Sequence, residues 1–129
     1  MNDEAKLWLQ YARENLQVAE ITFRARLLNP CLQNAQQAVE KALKALWISK
    51  TMPLKRTHSI RELNHGLVLV GQETSLTEED CDLFDSIYVS SKYPLESVLP
   101  SSPPDLPLCQ RCIELVRQIL AMVENAMKS

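Results

Sequence analysis

The sequence predicts an all-α protein, an up-and-down bundle of four or five helices. Apolar residues recur at three- and four-residue spacing in segment after segment, which is the period of an amphipathic helix. No segment alternates apolar and polar residues as a half-buried strand would. The chain holds only 2 glycines, few for a fold built on tight β turns. A length of 129 residues is typical of one domain, so residues 1–129 are predicted to form a single bundle.

Charge and hydropathy narrow the class of protein. The net charge is −2, with an excess of four positive charges in residues 1–60 and of six negative charges in residues 61–129. The whole chain is therefore not a general polyanion binder, although a local basic patch is compatible with this balance. No apolar run reaches the ~18 residues that cross a membrane. The start "MNDEAKLW" lacks the pattern of a signal peptide, and a soluble cytoplasmic domain is expected.

The first two predicted helices form an antiparallel pair. The first begins at Asp3 and runs to about Leu28, and Asn29-Pro30 is predicted to be the N-cap and first residue of the second. The apolar stripe of the first helix is predicted from seven residues: Leu7, Trp8, Tyr11, Ala12, Val18, Ala19 and Phe23.

The second helix carries the stretch "QQAVEKALKALW". Its predicted bundle seam consists of Leu32, Ala35, Val39, Ala42 and Leu46, widened by Leu43 and Trp47. The opposite, solvated face is predicted to hold Gln33, Gln37, Lys41 and Lys44. Gln36 falls at the edge between the two faces, one turn before Glu40. The three alanines of the quoted stretch favour a close approach of another helix.

Capping signals delimit two further helices. Ser59 and Glu62 have capping-box spacing at the start of the third helix, and Gly71 is predicted to end it. Its inner face is predicted to be Ile60, Leu63, Leu67 and Val70. Thr77 and Asp80 cap the fourth helix in the same way, with Leu76 packing against Cys81. Phe84, Ile87 and Tyr88 are its predicted buried face, and it should end near Ser91 because Tyr93 precedes Pro94.

A proline-rich loop, "YPLESVLPSSPPDLP", leads to a last helix that begins near Asp105. Its length is unusual for a connection and typical of functional loops. The last helix has two apolar stripes, one of Leu108, Cys112, Leu115, Ile119 and Met122, and one of Val116, Leu120, Val123 and Met127. Two stripes are wider than one bundle seam needs, so part of this surface is predicted to meet another subunit.

The residue types that hold metals do not form a recognisable site. "CQRC" at Cys109–Cys112 is the only CxxC pair, and zinc requires two further ligands at suitable spacing. The cysteines are predicted to be small core residues. The acidic run from Glu78 to Asp85 is interpreted as favourable charge at a helix N-terminus, with a divalent-metal site as the alternative. No metal and no cofactor are predicted.

Two clusters are the best candidates for an anion site. Lys55, Arg56 and His58 precede the third helix, where unpaired backbone N–H groups and the helix dipole favour an anion. Lys92 and Tyr93 end the fourth helix, and an antiparallel pair would bring the two clusters together at one end of the bundle. The structural alternative for the first cluster is a solvated basic loop. For the second, Tyr93 only fills the end of the bundle.

Arg61 and His65 stand four residues apart on one helix face. Such a pair is able to position and protonate a phosphodiester, and it also occurs by chance on helix surfaces.

The blocks "AQQAVEKALKALW", "THSIREL" and "YVSSKYP", in this order and spacing, resemble the HEPN domain family. The resemblance implies an up-and-down helical bundle that is usually a dimer. It also implies a minimal nucleotidyltransferase as partner, because prokaryotic members are often encoded beside one in toxin–antitoxin-like pairs. Some family members are metal-independent endoribonucleases with an Arg-x4–6-His motif at a dimer interface, and others are nucleotide-binding or scaffold modules.

The chain departs from the ribonuclease pattern. Three residues separate Arg61 from His65, one separates Arg56 from His58, and Lys92 replaces the usual arginine before Tyr93-Pro94. The resemblance therefore implies a non-catalytic module that binds a nucleotide or RNA phosphate and pairs with a nucleotidyltransferase. A metal-independent ribonuclease and a dimeric scaffold without a small ligand are the alternatives. Seven residues occupy positions that match the family pattern: Gln36, Gln37, Glu40, Lys41, His58, Lys92 and Tyr93.

Overall fold

The computed structural model describes residues 2–92 and 103–128. Within these ranges the chain forms five α-helices and no strand, which confirms the all-α prediction. In chain order the helices are α1 (Asp3–Arg24), α2 (Leu28–Ser49), α3 (Ile60–Leu69), α4 (Glu78–Lys92) and α5 (Leu106–Met127).

The corner between α1 and α2 differs from its prediction. Helix α1 ends at Arg24, and Arg26 takes a positive φ of 61° in the turn that follows. Helix α2 begins at Leu28 with Leu27 as its N-cap, so the predicted cap at Asn29-Pro30 is wrong. Pro30 lies inside the first turn of α2, where its missing N–H leaves no hydrogen bond unmade.

Helix α1 buries only one side of the apolar stripe predicted for it. Ala5, Leu9, Ala12 and Ala19 are buried, whereas Leu7, Tyr11 and Val18 are exposed. The prediction followed the larger side chains, but the row of alanines is the one that lets α2 approach closely. Trp8 and Phe23 pack at the margin of this core, as predicted.

Helix α2 is the central element and contacts each of the other four helices. All seven residues of its predicted seam are buried, so that prediction is confirmed. Lys44 was predicted to be solvated and is also buried. Its ammonium bonds the Glu40 carboxylate one turn earlier at 2.9 Å, and this pairing makes burial of both charges tolerable.

The predicted caps of α3 and α4 are present. The Ser59 hydroxyl accepts a hydrogen bond from the Glu62 amide, and Thr77 and Asp80 exchange two reciprocal bonds of 3.1 Å. Gly71 follows α3 with φ of 85°, the left-handed conformation that ends many helices. Val70, predicted to be internal, is exposed because it caps the helix beyond its last buried turn.

Helix α5 begins after Asp105, whose carboxylate accepts from the Leu108 amide at 2.9 Å. It packs on α2 and α1. Every residue of the second predicted stripe is buried, and the first stripe is buried or half-buried. The chain covers this double stripe itself, so the structure removes it as a reason to expect a second subunit there. Most of the predicted proline-rich loop, from residue 93 to residue 102, lies outside the described residues.

The four cysteines are buried in the core, as predicted. Loss of hydration on burial raises the pKa of the Cys31 and Cys112 thiols to about 12 and that of Cys81 to about 11. Since thiolates are the forms that attack electrophiles and bind metals, these thiols are poorly suited to either role. In the part of the chain that the structure describes, no group of three or more metal-binding side chains comes together. No described helix is long and apolar enough to cross a membrane.

Candidate functional site

A polar cavity of about 270 Å³ opens between α2, the loop before α3 and the end of α4. We call it the α2–α4 groove. Its lining consists of Gln33, Gln36, Gln37, Glu40, Lys41, His58, Tyr88, Ser91 and Lys92. The two glutamines that open "QQAVEKALKALW" both belong to it, so α2 presents its seam to the bundle and its flank to this groove.

Glu40 is the anchor of the groove and only 7% of its surface is exposed. Its carboxylate oxygens receive Lys44 Nζ at 2.9 Å and Gln36 Nε2 at 3.3 Å. Residues 36, 40 and 44 are spaced by four, so they lie along one line of α2 and meet side chain to side chain. A carboxylate in such a setting is stable only with partners, and this line of α2 supplies two of them.

His58 completes the set of partners of Glu40. Its Nδ1 lies 3.1 and 3.2 Å from the two carboxylate oxygens. An ionised carboxylate only accepts hydrogen bonds, so Nδ1 is the donor and Nε2 is left for a ligand. The imidazole also stacks on Tyr88, with ring centroids 4.8 Å apart and an interplanar angle of 15°. Its side chain is nevertheless 59% exposed, so this well-held ring faces the open groove.

Two lysines, Lys41 and Lys92, also line the groove. Lys92 Nζ lies 5.8 Å from the centre of the Tyr88 ring. Lys41 Nζ bonds Asn15 Oδ1 at 2.8 Å and lies 5.8 Å from the Tyr11 ring. Among the described residues that line the groove, Glu40 is the one carboxylate, and Lys44 balances its charge. Lys41 and Lys92 therefore leave the groove with a positive balance that favours an anion.

The structure places only some of the predicted anion-binding residues in the groove. His58 and Lys92, 34 residues apart in sequence, each contact the ring of Tyr88. Lys55 lies instead near Glu62, with Nζ 3.6 Å from its carboxylate. Arg56 is exposed in the loop before α3 and does not line the groove. Tyr93 lies outside the described residues.

The N-terminus of α3 was predicted to offer free backbone donors, and this prediction is wrong. The Asp85 carboxylate of α4 accepts from the Ile60 amide at 2.6 Å and from the Arg61 amide at 3.3 Å. It also accepts the Ser59 hydroxyl at 3.0 Å. An acidic side chain of the same chain thus occupies the place that an external anion would take at the start of α3.

Arg61 and His65 are bound to the acidic run of α4. Arg61 forms ion pairs with Glu78 and Asp82, and His65 Nε2 lies 2.8 Å from the Glu78 carboxylate. The hydrogen bond from His65, followed by the charge of Arg61, lowers the pKa of Glu78. The acidic run thus joins α4 to neighbouring helices. Asp80 adds a further bond, to Arg111 of α5 at 3.3 Å.

Sequence reasoning missed the central part of the groove. It assigned Tyr88 to the buried face of α4, and it reached Gln36, Glu40 and Lys41 only through the family resemblance. The spacing of Gln36, Glu40 and Lys44 was a usable signal, because three polar residues in line beside an apolar seam indicate a polar feature at the edge of the core.

Comparison with known proteins agrees with this architecture. The sequence model of the HEPN domain matches residues 5–126, and the chain belongs to the HEPN domain family. Among solved structures, TT1696 from Thermus thermophilus is similar with 27% identity and a TM-score of 0.79, over 97% of this chain and 99% of that one. A protein described as an archaeal HEPN homologue shares the fold, with 23% identity, a TM-score of 0.73 and coverage of 95% and 97%. No curated protein matches the chain significantly.

Proposed function

We propose that this chain is a non-catalytic HEPN module that binds a nucleotide or RNA phosphate in the α2–α4 groove. We further propose that it works in the cytoplasm as the partner of a minimal nucleotidyltransferase, in a toxin–antitoxin-like pair. The observation that carries the proposal is the exposed His58–Tyr88 stack, fixed by Glu40, in a groove that Lys41 and Lys92 also line.

The groove offers separate partners for the two halves of a nucleotide. The ammonium groups of Lys41 and Lys92 attract the phosphate, and His58 Nε2 is available for a further hydrogen bond. The open face of the imidazole provides a platform on which a base stacks, a contact that tolerates any base. The amide side chains of Gln33 and Gln37 are able to donate and accept hydrogen bonds at the edge of a base.

The ion pairs of Arg61 and His65 support a binding role over hydrolysis. Both side chains already bond Glu78, so their use on a phosphodiester would require these contacts to open. The spacing of three residues between Arg61 and His65, shorter than that of the ribonuclease motif, also favours binding over hydrolysis. Pairing with a nucleotidyltransferase is supported by membership of the family, and co-purification with such a protein encoded next to this chain is its direct test.

Titration of AMP and of a short 5′-phosphorylated RNA by calorimetry tests the binding proposal. Lys41→Ala/Lys92→Ala is expected to weaken binding about tenfold or more, because two charge-assisted contacts are lost. Binding to the wild type should also weaken as salt is added, since both ammonium groups lie at the surface.

The matched control is Lys6→Ala/Lys128→Ala, which removes the same charge from two lysines that line a different cavity. It should bind like the wild type. Equal affinity in all three proteins contradicts the groove as the site. The same wild-type sample, incubated with RNA and chelator, should leave the RNA intact, and cleavage that His65→Ala abolishes would restore the ribonuclease alternative.

A further inference from the structure

His58 is an exposed side chain that the fold nevertheless holds in one orientation. An imidazole in an open loop with no contacts would sample several rotamers. Here Nδ1 bonds the Glu40 carboxylate of α2 at 3.1 Å, and one face of the ring stacks on Tyr88 of α4. Both contacts require the backbone of His58 to lie at a fixed place between α2 and α4, although His58 itself belongs to the loop before α3.

The backbone directly after His58 is bound to the Asp85 carboxylate of α4. One carboxylate oxygen accepts the Ile60 amide at 2.6 Å. The other accepts the Ser59 hydroxyl at 3.0 Å and the Arg61 amide at 3.3 Å. Hydrogen bonds to an ionised acceptor are stronger than those between neutral groups. Three donors from three consecutive residues therefore fix the chain that follows His58 to α4.

Asp85 and Tyr88 stand three residues apart on α4 and lie on the same side of that helix. Asp85 holds the backbone next to His58, and Tyr88 holds the plane of its ring. Asp85 is not among the residues that line the α2–α4 groove. We propose that Asp85 is a positioning residue, which holds His58 so that its Nε2 and open face meet a ligand in the groove. This role rests on the proposed function of the groove.

The consequence of this arrangement is a ring that is ordered before the ligand binds. A side chain that becomes ordered only on binding reduces the affinity by the entropy lost at that moment. The three bonds to Asp85 form when the chain folds, so His58 avoids this loss. The structural alternative is that Asp85 serves only as a cap of α3. A change at Asp85 would then lower the stability of the fold and leave His58 in place.

NMR of the free protein distinguishes these two roles, since the chain contains only 2 histidines and His58→Ala identifies the signals of His58. The ring current of Tyr88 should displace the ring-proton signals of His58, and Tyr88→Leu should remove that displacement. Asp85→Asn should move the His58 signals toward those of Tyr88→Leu. The matched control is Thr77→Val, which removes a cap bond at the start of α4. It should lower stability and leave the His58 signals unchanged.

Titration of AMP into four proteins tests the effect on binding: the wild type, Asp85→Asn, His58→Ala and the double variant. Asp85→Asn should weaken AMP binding about threefold or more, because His58 is no longer held for the ligand. In the double variant Asp85→Asn should cause no further loss, since both changes act on the same contact. A structural role of Asp85 that is independent of His58 would give additive losses instead.

Two results would overturn the positioning role: wild-type His58 signals in Asp85→Asn, or additive losses of affinity in the double variant. If Asp85→Asn does not fold, Ser59→Ala takes its place in both measurements, because it removes one of the three bonds to Asp85. A wild type that binds no AMP would refute the proposed function of the groove. The NMR comparison needs no ligand, so it still decides whether Asp85 holds His58.

Discussion

The chain contains two histidine–carboxylate pairs, and their surroundings are opposite. In the pair of His58 and Glu40 the carboxylate is buried, the imidazole is exposed, and an aromatic ring lies behind it. In the pair of His65 and Glu78 the carboxylate itself is exposed and is shared with Arg61. The residue types alone do not distinguish the two, and both histidines precede or occupy the same helix.

The two pairs differ in whether the fold holds the carboxylate in a fixed position. Glu40 belongs to the central helix and is held by Lys44 and Gln36, so His58 is positioned while its outer nitrogen stays available. Glu78 belongs to the exposed start of α4. It bonds both Arg61 and His65, the two side chains that resemble a catalytic motif. Burial of the anchor creates a candidate site, whereas exposure of the anchor produces a surface ion-pair cluster.

The largest expected effect comes from breaking the buried anchor. Glu40→Gln should lower the free energy of unfolding by about 3 kcal/mol, because the buried ammonium of Lys44 loses its ionic partner. Urea unfolding followed by circular dichroism measures this change. Glu78→Gln is the matched control at the other pair and should move the urea midpoint very little, since exposed ion pairs contribute little.

A second variant distinguishes loss of the Glu40–Lys44 ion pair from the cost of leaving the Lys44 charge buried without a partner. Glu40→Gln/Lys44→Met should recover most of the lost stability, because an apolar side chain of similar length needs no ionic partner. If Glu40→Gln and Glu78→Gln unfold at the same urea concentration, burial of Glu40 does not set the two pairs apart.

A smaller effect is expected from the seam that holds the anchor in place. Ala42 is fully buried in α2, two residues from Glu40. Ala42→Leu should overpack the contact between helices and cost about 2 kcal/mol. Ala121→Leu makes the same change at an exposed position of α5 and should leave the unfolding midpoint nearly unchanged. Equal midpoints for the two variants would mean that the seam of α2 is loosely packed.

The sequence predicted the seam well because it consists of apolar residues at one regular spacing. It was only partly right on α1, where two apolar rows follow the helical period and the row of smaller residues is the buried one. The larger row, from Leu7 to Ile21, satisfied the same helical period. Periodicity identifies apolar faces, but only the packing of α2 on the alanines decides which one is internal.

The candidate site was harder to predict because its contacts join distant parts of the chain. Lys44 was placed in water by its charge, and only its pairing with Glu40 inside the bundle changes that outcome. Asp85 closes the N-terminus of α3 from α4, a contact between residues about 25 apart that no local signal marks. The convergence of His58 and Lys92 likewise depends on how α3 and α4 pack, which spacing along the sequence does not specify.

The smallest expected effect is the pH dependence of the exposed pair. The pKa of Glu78 is lower in the folded protein than its ordinary value of 4.5, through the His65 hydrogen bond and then the Arg61 charge. A carboxyl group with a lowered folded pKa stabilises the fold above its unfolded pKa, and that contribution disappears as the pH falls through the folded value. The difference in unfolding midpoint between the wild type and Glu78→Gln should therefore be constant from neutral pH down to about 4.5 and vanish below it. Because the Glu78 carboxylate is exposed, the difference should be small and should shrink further in high salt. A difference that grows as the pH falls below 4.5 would reverse the sign derived from these contacts, and would show that Glu78 is not held ionised by His65 and Arg61.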